Sequence, residues 1–220
     1  MKLRAVFDVV RIVWSPQKVY EKVRENSTPN FWIPLFFILF VLTVSTIITI
    51  KFIKFEVPEH FKLTQEQIKQ LEDFRNSPEG MVLPLIPALF VSSLLLIVVT
   101  AVIKMASFAI SLKIGFRKLF TVVSFSYLAF SYRQILTDLY VIMTNSSKIY
   151  FSPLFFLNIS PLSVAGYWIS KIELFNIWWI FLLAIGIKVV GEIGFKRSLI
   201  FTFMIWFIGN VVSFLWFYFL

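Results

Sequence analysis

The chain has 220 residues, of which 59% are hydrophobic and 15% charged, and a formal charge of +9. A soluble domain is about half apolar and a quarter charged, so this composition excludes an ordinary water-soluble fold. The absence of cysteine excludes disulfides, thiol nucleophiles and thiolate metal sites.

The apolar excess is gathered in runs of roughly 20 residues, the length that crosses about 30 Å of hydrocarbon. The expected class is therefore an all-α polytopic membrane bundle. In that setting the positive charge belongs to basic loops against an anionic leaflet, not to a nucleic-acid site.

Residues 1–30 form the first segment outside the hydrocarbon. Arg4, Asp8 and Arg11, with Ser15 and Lys18, recur at three- and four-residue steps opposite Leu3, Val6, Phe7, Val10, Val13 and Trp14. That periodicity predicts an amphipathic helix lying in the membrane interface, as an anchor or a docking surface. The same charges interrupt the run too often for a signal peptide, and no small-residue cleavage pattern follows. Ser15-Pro16 predicts a helix restart, with Ser as N-cap and Pro at the first helical position.

The first span is expected at about 31–50. Residues 51–81 form a charged loop, and Thr64-Gln65-Glu66-Gln67 within it is a capping-box pattern that predicts a short surface helix. His60, the only histidine, sits in this loop and reads as solvated, since a metal site needs further ligands. The second span is expected at about 82–103, with Pro84 and Pro87 in its first turns. Ser93, Thr100 and Ser107 repeat every seven residues, a spacing that suits a packing seam between membrane helices.

The third span, about 120–142, carries Arg133 and Asp138 inside it. At about 100° per residue, Ser124, Tyr127, Ser131, Gln134 and Asp138 share a sector of about 80°. Ionisable groups at membrane depth are costly and face a bundle interior, a partner or a watery cavity. Arg133 points about 140° away from Asp138. It therefore needs an acid on a neighbouring helix or the outer loop, and Glu173 at the start of the fourth span is the candidate.

The loop 144–171 is rich in aromatic residues and is expected to fold against the outer face or to be partly re-entrant. Asn158-Ile159-Ser160 within it matches a glycosylation sequon, a pattern frequent by chance. The fourth span is expected at about 172–190 and the fifth at about 198–220. In the fifth, Ser198, Thr202, Gly209 and Ser213 form a second small-residue seam, with Asn210 beside it.

Basic residues set the orientation. Twelve Lys/Arg lie in the segments that would be inside and seven in those outside, the latter diluted by six acids in 51–81. The N-terminus is expected in the cytoplasm and the C-terminus outside.

Three stretches carry a family likeness. They are Ser15-Pro16-Gln17-Lys18-Val19-Tyr20-Glu21-Lys22, Phe116-Arg117-Lys118-Leu119-Phe120 leading into Ser124-Phe125-Ser126-Tyr127-Leu128, and Leu174-Phe175-Asn176-Ile177-Trp178 through to Gly194-Phe195-Lys196-Arg197-Ser198-Leu199. In this order the chain resembles the Yip membrane-protein family, the Rab-interacting five-span proteins of the secretory pathway, and above all its shorter prokaryotic branch. The resemblance implies a five-span helical domain and a prokaryotic cytoplasmic membrane. Eukaryotic relatives carry a longer cytoplasmic region tied to small GTPases. With 30 residues before the first span, a GTPase partner is not carried over.

For function, the residues favour a non-enzymatic membrane scaffold or adaptor with no cofactor, whose partners are the bilayer and other membrane proteins or a second copy. The alternative is a transporter, channel or lipid scramblase that uses an outward vestibule lined by the third span. An intramembrane enzyme fits poorly. One histidine excludes H-E-x-x-H, no G-x-S-x-G occurs, and the flanks of Asp138 and Glu173 match no protease pattern.

Overall fold

Runs that are apolar around their whole circumference cannot leave their backbone polar groups unpaired in hydrocarbon, so they close every hydrogen bond within a helix. The computed structural model describes residues 2–26, 30–53, 64–146, 149, 151–157, 159–160 and 163–219. His60, Asn158 and the Arg4 side chain lie outside what is described. Among the described residues the chain is all-helical, with ten α-helices and one 3-10 turn.

The N-terminal segment forms α1 (Lys2–Arg11) and α2 (Pro16–Glu25). Pro16 takes the first helical position of α2 behind Ser15, although the Ser15 side chain makes no capping bond. Next come α3 (Trp32–Phe52), α4 (Gln65–Asn76), the one-turn α5 (Pro78–Val82) and α6 (Leu85–Ala109). The capping box of α4 is formed in full: Thr64 Oγ1 accepts from Gln67 N–H while the Gln67 side chain accepts from Thr64 N–H.

Then follow α7 (Phe116–Thr144), a 3-10 turn (Pro153–Phe155), α8 (Val164–Lys171), α9 (Leu174–Gly191) and α10 (Phe195–Phe219). The stretch 144–171, expected to be a loop, thus contains a short helix. Asn145 and Glu192 end α7 and α9 in the left-handed conformation, with φ of 52° and 53°.

Among the described residues four segments are long and apolar enough to cross a membrane: Trp32–Phe52, Pro78–Ala109, Leu174–Gly191 and Phe195–Trp216. The 29-residue α7, about 43 Å long at 1.5 Å per residue, is more polar and occupies the centre. It packs on α3 and α9 along its length, on α6, and on α2 near its start. Leu119, Val122, Val123, Leu128 and Ala129 are fully enclosed. The partner α9 is buried in the same way through Leu182, Leu183 and Ile187.

The α7–α9 approach depends on Gly186. A Cβ there would overlap the Val122 side chain and come within 3.1 Å of the Tyr20 ring. Gly209 on α10 has nothing within 4 Å of the same position. Both are mid-helix glycines, so alanine brings the same propensity gain to each, and packing sets the difference. Gly186→Ala is expected to destabilise by about 1–3 kcal/mol through overpacking, while Gly209→Ala is neutral or stabilising. Thermal unfolding of the two variants in detergent checks this.

Candidate functional site

The polar stripe of α7 does not stay on one surface. Its upper end turns to α3, where Ser45 Oγ donates to Asp138 Oδ1 at 2.8 Å. Gln134 Nε2 donates to the same carboxylate oxygen at 3.1 Å and to Ser45 Oγ at 2.5 Å. Asp138 is buried, so its carboxylate is held by neighbouring dipoles.

Ser124, also buried, donates back to the Phe120 carbonyl at 2.8 Å, and Ser131 is enclosed. Tyr127 faces elsewhere: its ring meets Phe130 and, edge-on, Trp179 of α9. Ser45 is the member that sequence reasoning missed. Thr43 and Thr46 beside it bond their own helix at the i−4 carbonyl. No local signal separates Ser45 from them.

Arg133, on the opposite side of α7, reaches the N-cap position of α9. Its Nε lies 2.7 Å from Glu173 Oε1. Glu173 is buried, and Oε1 accepts no aligned hydrogen bond among the described residues, so the contact is one of charge. The Arg133 side chain remains 45% exposed. The i, i+5 spacing of Arg133 and Asp138 thus sends the two ionisable groups to different neighbours, α9 and α3.

At the other end of α7 the N-terminal helices are docked. Tyr20 is wholly buried, and its hydroxyl sits 3.0 Å from Ser126 Oγ. Burial pushes this phenol well above its ordinary pKa, so it stays neutral. Lys22 Nζ pairs with Asp8 Oδ1 at 2.5 Å, and Tyr132 Oη donates to the Val9 carbonyl at 2.7 Å.

This corrects the expected orientation of α1. Asp8 does not lie on an exposed polar face. It turns inward with Val9 and Ile12, because Lys22 on α2 neutralises it. Arg11 is half-buried, whereas Phe7, Val10 and Trp14 are exposed on the outer side.

A cavity of about 890 Å³ lies between α6 and α10 with α7 and α9 behind it. Of the stripe residues only Tyr127 lines it, together with Arg133 and Glu173. It exists because α10 leaves α9 halfway along. Ser198 Oγ donates to the Ala184 carbonyl at 2.6 Å, and Thr202 is fully enclosed, so the lower half of the small-residue seam packs on α9.

Gly209 and Ser213, the upper half of that seam, are exposed. There α8 stands against α10: Tyr167 meets Phe214 edge-on, Trp168 stacks on Phe207, and Tyr167 Oη donates to the Asn210 carbonyl at 3.1 Å. Beside the cavity the Trp179 indole N–H is buried without a hydrogen-bond partner among the described residues. Among those residues no group of three or more His, Cys, Asp or Glu is placed to hold a metal ion.

Removing one member of each cluster separates their energetics. Arg133→Gln leaves Glu173 buried and unpaired and is expected to cost about 1–2 kcal/mol, below the usual cost of breaking a fully buried pair because Arg133 is half-exposed. Adding Glu173→Gln should recover most of that loss. Asp138→Ala, which removes the acceptor shared by Ser45 and Gln134, is expected to cost about 1–3 kcal/mol. A double-mutant cycle on unfolding in detergent reads both.

The Yip1 domain matches residues 10–217, nearly the whole chain. No curated relative and no solved structure matches. The protein is a membrane protein belonging to the Yip1-domain family.

Proposed function

We propose that the protein is a non-enzymatic scaffold in a prokaryotic cytoplasmic membrane. In this reading α7 is a fifth span, packed among the more apolar segments, with the N-terminus inside and the C-terminus outside. The excess of Lys and Arg near the α1–α2 end supports that orientation. The length of α7 supports the fifth crossing, since about 20 helical residues suffice.

The single observation that carries the scaffold reading is the docked hairpin. Tyr20 and Val19 of α2 are wholly buried where it packs on α9 and α7, Ile12 is wholly buried behind α1, which packs on α3, and Phe7 and Trp14 are exposed. A rigid platform with an apolar rim at the cytoplasmic surface suits capture of a membrane partner. Most polar groups inside the bundle bond either their own helix, as Ser124 does, or a neighbouring one, as Asp138 does, which suits cohesion more than transport. The family match is consistent with a protein that organises membranes and catalyses nothing.

The native chain has no cysteine, so single cysteines report topology cleanly. Cysteine at Glu72 or Thr144 should react with an impermeant maleimide added outside. Cysteine at Gly115 or Gly194, where a side chain meets nothing within 4 Å, should react only after permeabilisation. Labelling of Gly115 and Thr144 from the same side would remove α7 from the spans.

For the scaffold itself, Phe7→Glu with Trp14→Glu should abolish photo-crosslinked partners in cells while thermal stability is retained. Purified protein in vesicles should pass neither ions nor small solutes. Flux above that of protein-free vesicles would overturn the scaffold in favour of a conduit.

A further inference from the structure

We infer that the cleft between α6 and α10 is a binding site for one anionic phospholipid, with its phosphate at Arg133 and Lys171 and its acyl chains lying between the two helices. Polarity along the cleft is that of an amphiphile. Arg133, Lys171, Asn176 and Asn210 gather at the end near α8. Below them the walls are apolar, through Val98 and Val102 on α6 and Ile205 and Ile208 on α10.

The site opens sideways, not upward alone. Val98, Val102, Ile208 and Val212 line the cavity and are also among the exposed large hydrophobic residues. On membrane-crossing segments such residues meet acyl chains. At about 890 Å³ the cavity is in the range of sites that enclose a small organic ligand. A second hollow of about 840 Å³ shares Ala106, Ile205 and Ile208 with it and continues between the same helices toward Lys196 and Arg197. A lipid therefore has room for headgroup and glycerol at one end and a continuous apolar track for its chains.

Charge selects the headgroup. Arg133 uses Nε on Glu173, and its two terminal nitrogens make no hydrogen bond among the described residues. Lys171 Nζ lies 4.6 Å from the centre of the Tyr167 ring, a contact that holds the ammonium without neutralising it. Two cations against one carboxylate leave one net positive charge, and guanidinium nitrogens suit phosphate oxygens. A free phosphate would use only the charged rim and leave the apolar track empty.

The test uses the full-length protein in mild detergent, with dioleoyl phosphatidylglycerol and dioleoyl phosphatidylcholine offered together and bound lipid read by native mass spectrometry. The expected result is one lipid per chain with phosphatidylglycerol preferred. Lys171→Gln should lower that preference about five-fold, the scale of one cation near an anionic lipid, and Lys171→Arg should restore it. Ile208→Trp, which fills the track, should reduce retention of both lipids.

Lys171→Gln alters no buried packing, and equal thermal stability with the parent verifies its fold. Retention unchanged in both Lys171→Gln and Ile208→Trp would overturn the site. So would displacement of the lipid by millimolar inorganic phosphate. Efficient disulfide formation between two chains through a single cysteine at Ile208, with no lipid selectivity, would assign the cleft to a second copy instead.

Discussion

The bundle is organised by α7, whose stretch Leu119–Ser126 is buried and whose ionisable groups must each find a partner on another helix. Arg133 and Asp138 lie on a helix packed among strongly apolar segments, where an unpaired charge is costly. The bundle answers by surrounding α7 with α3, α6 and α9 and plugging its first turns with α2. Each ionisable group then acquires its own neighbour: Ser45 from α3 for Asp138 and Glu173 from α9 for Arg133. The apolar segments around it can be nearly featureless because the central helix supplies most of the specificity.

Close approach is the second requirement. In membranes helices gain little from the hydrophobic effect on meeting one another, so small residues that let backbones near each other matter more. Gly186 does this between α9 and α7, and it also admits the Tyr20 ring from α2. One glycine thus ties the N-terminal hairpin to the core. The seam of α10 is used only in part: Ser198 and Thr202 pack, whereas Gly209 and Ser213 do not. The aromatic contacts of α8 with Phe207 and Phe214 accompany that divergence. The resulting cleft is a consequence of packing at both ends of α10, and its polar rim includes both members of the ion pair.

Much of this was legible one helix at a time. Helical periods, caps and apolar runs are local properties, so α3, α4, α6, α9 and α10 lie close to where the pattern predicts them, and the capping box at Thr64 forms as its residues require. The need of Arg133 for an acid outside its own helix was also readable, because a helical wheel separates it from Asp138 by a fixed angle. The inward turn of Asp8 was not. Amphipathic periodicity says which residues share a face but not which side that face meets, and Lys22, fourteen residues on, decides it.

The sequence by itself determined the class of protein, the positions of its long helices and the family resemblance that the match over residues 10–217 bears out. Composition and spacing suffice for these because hydrocarbon imposes one rule on every span. Only the tertiary structure decided that the α7 stripe divides between α3 and the cavity, that Ser45 completes the Asp138 cluster, and that α6 and α10 stand apart. Those outcomes depend on helix rotation and crossing, which are set by contacts between residues far apart in the chain. No local pattern encodes them.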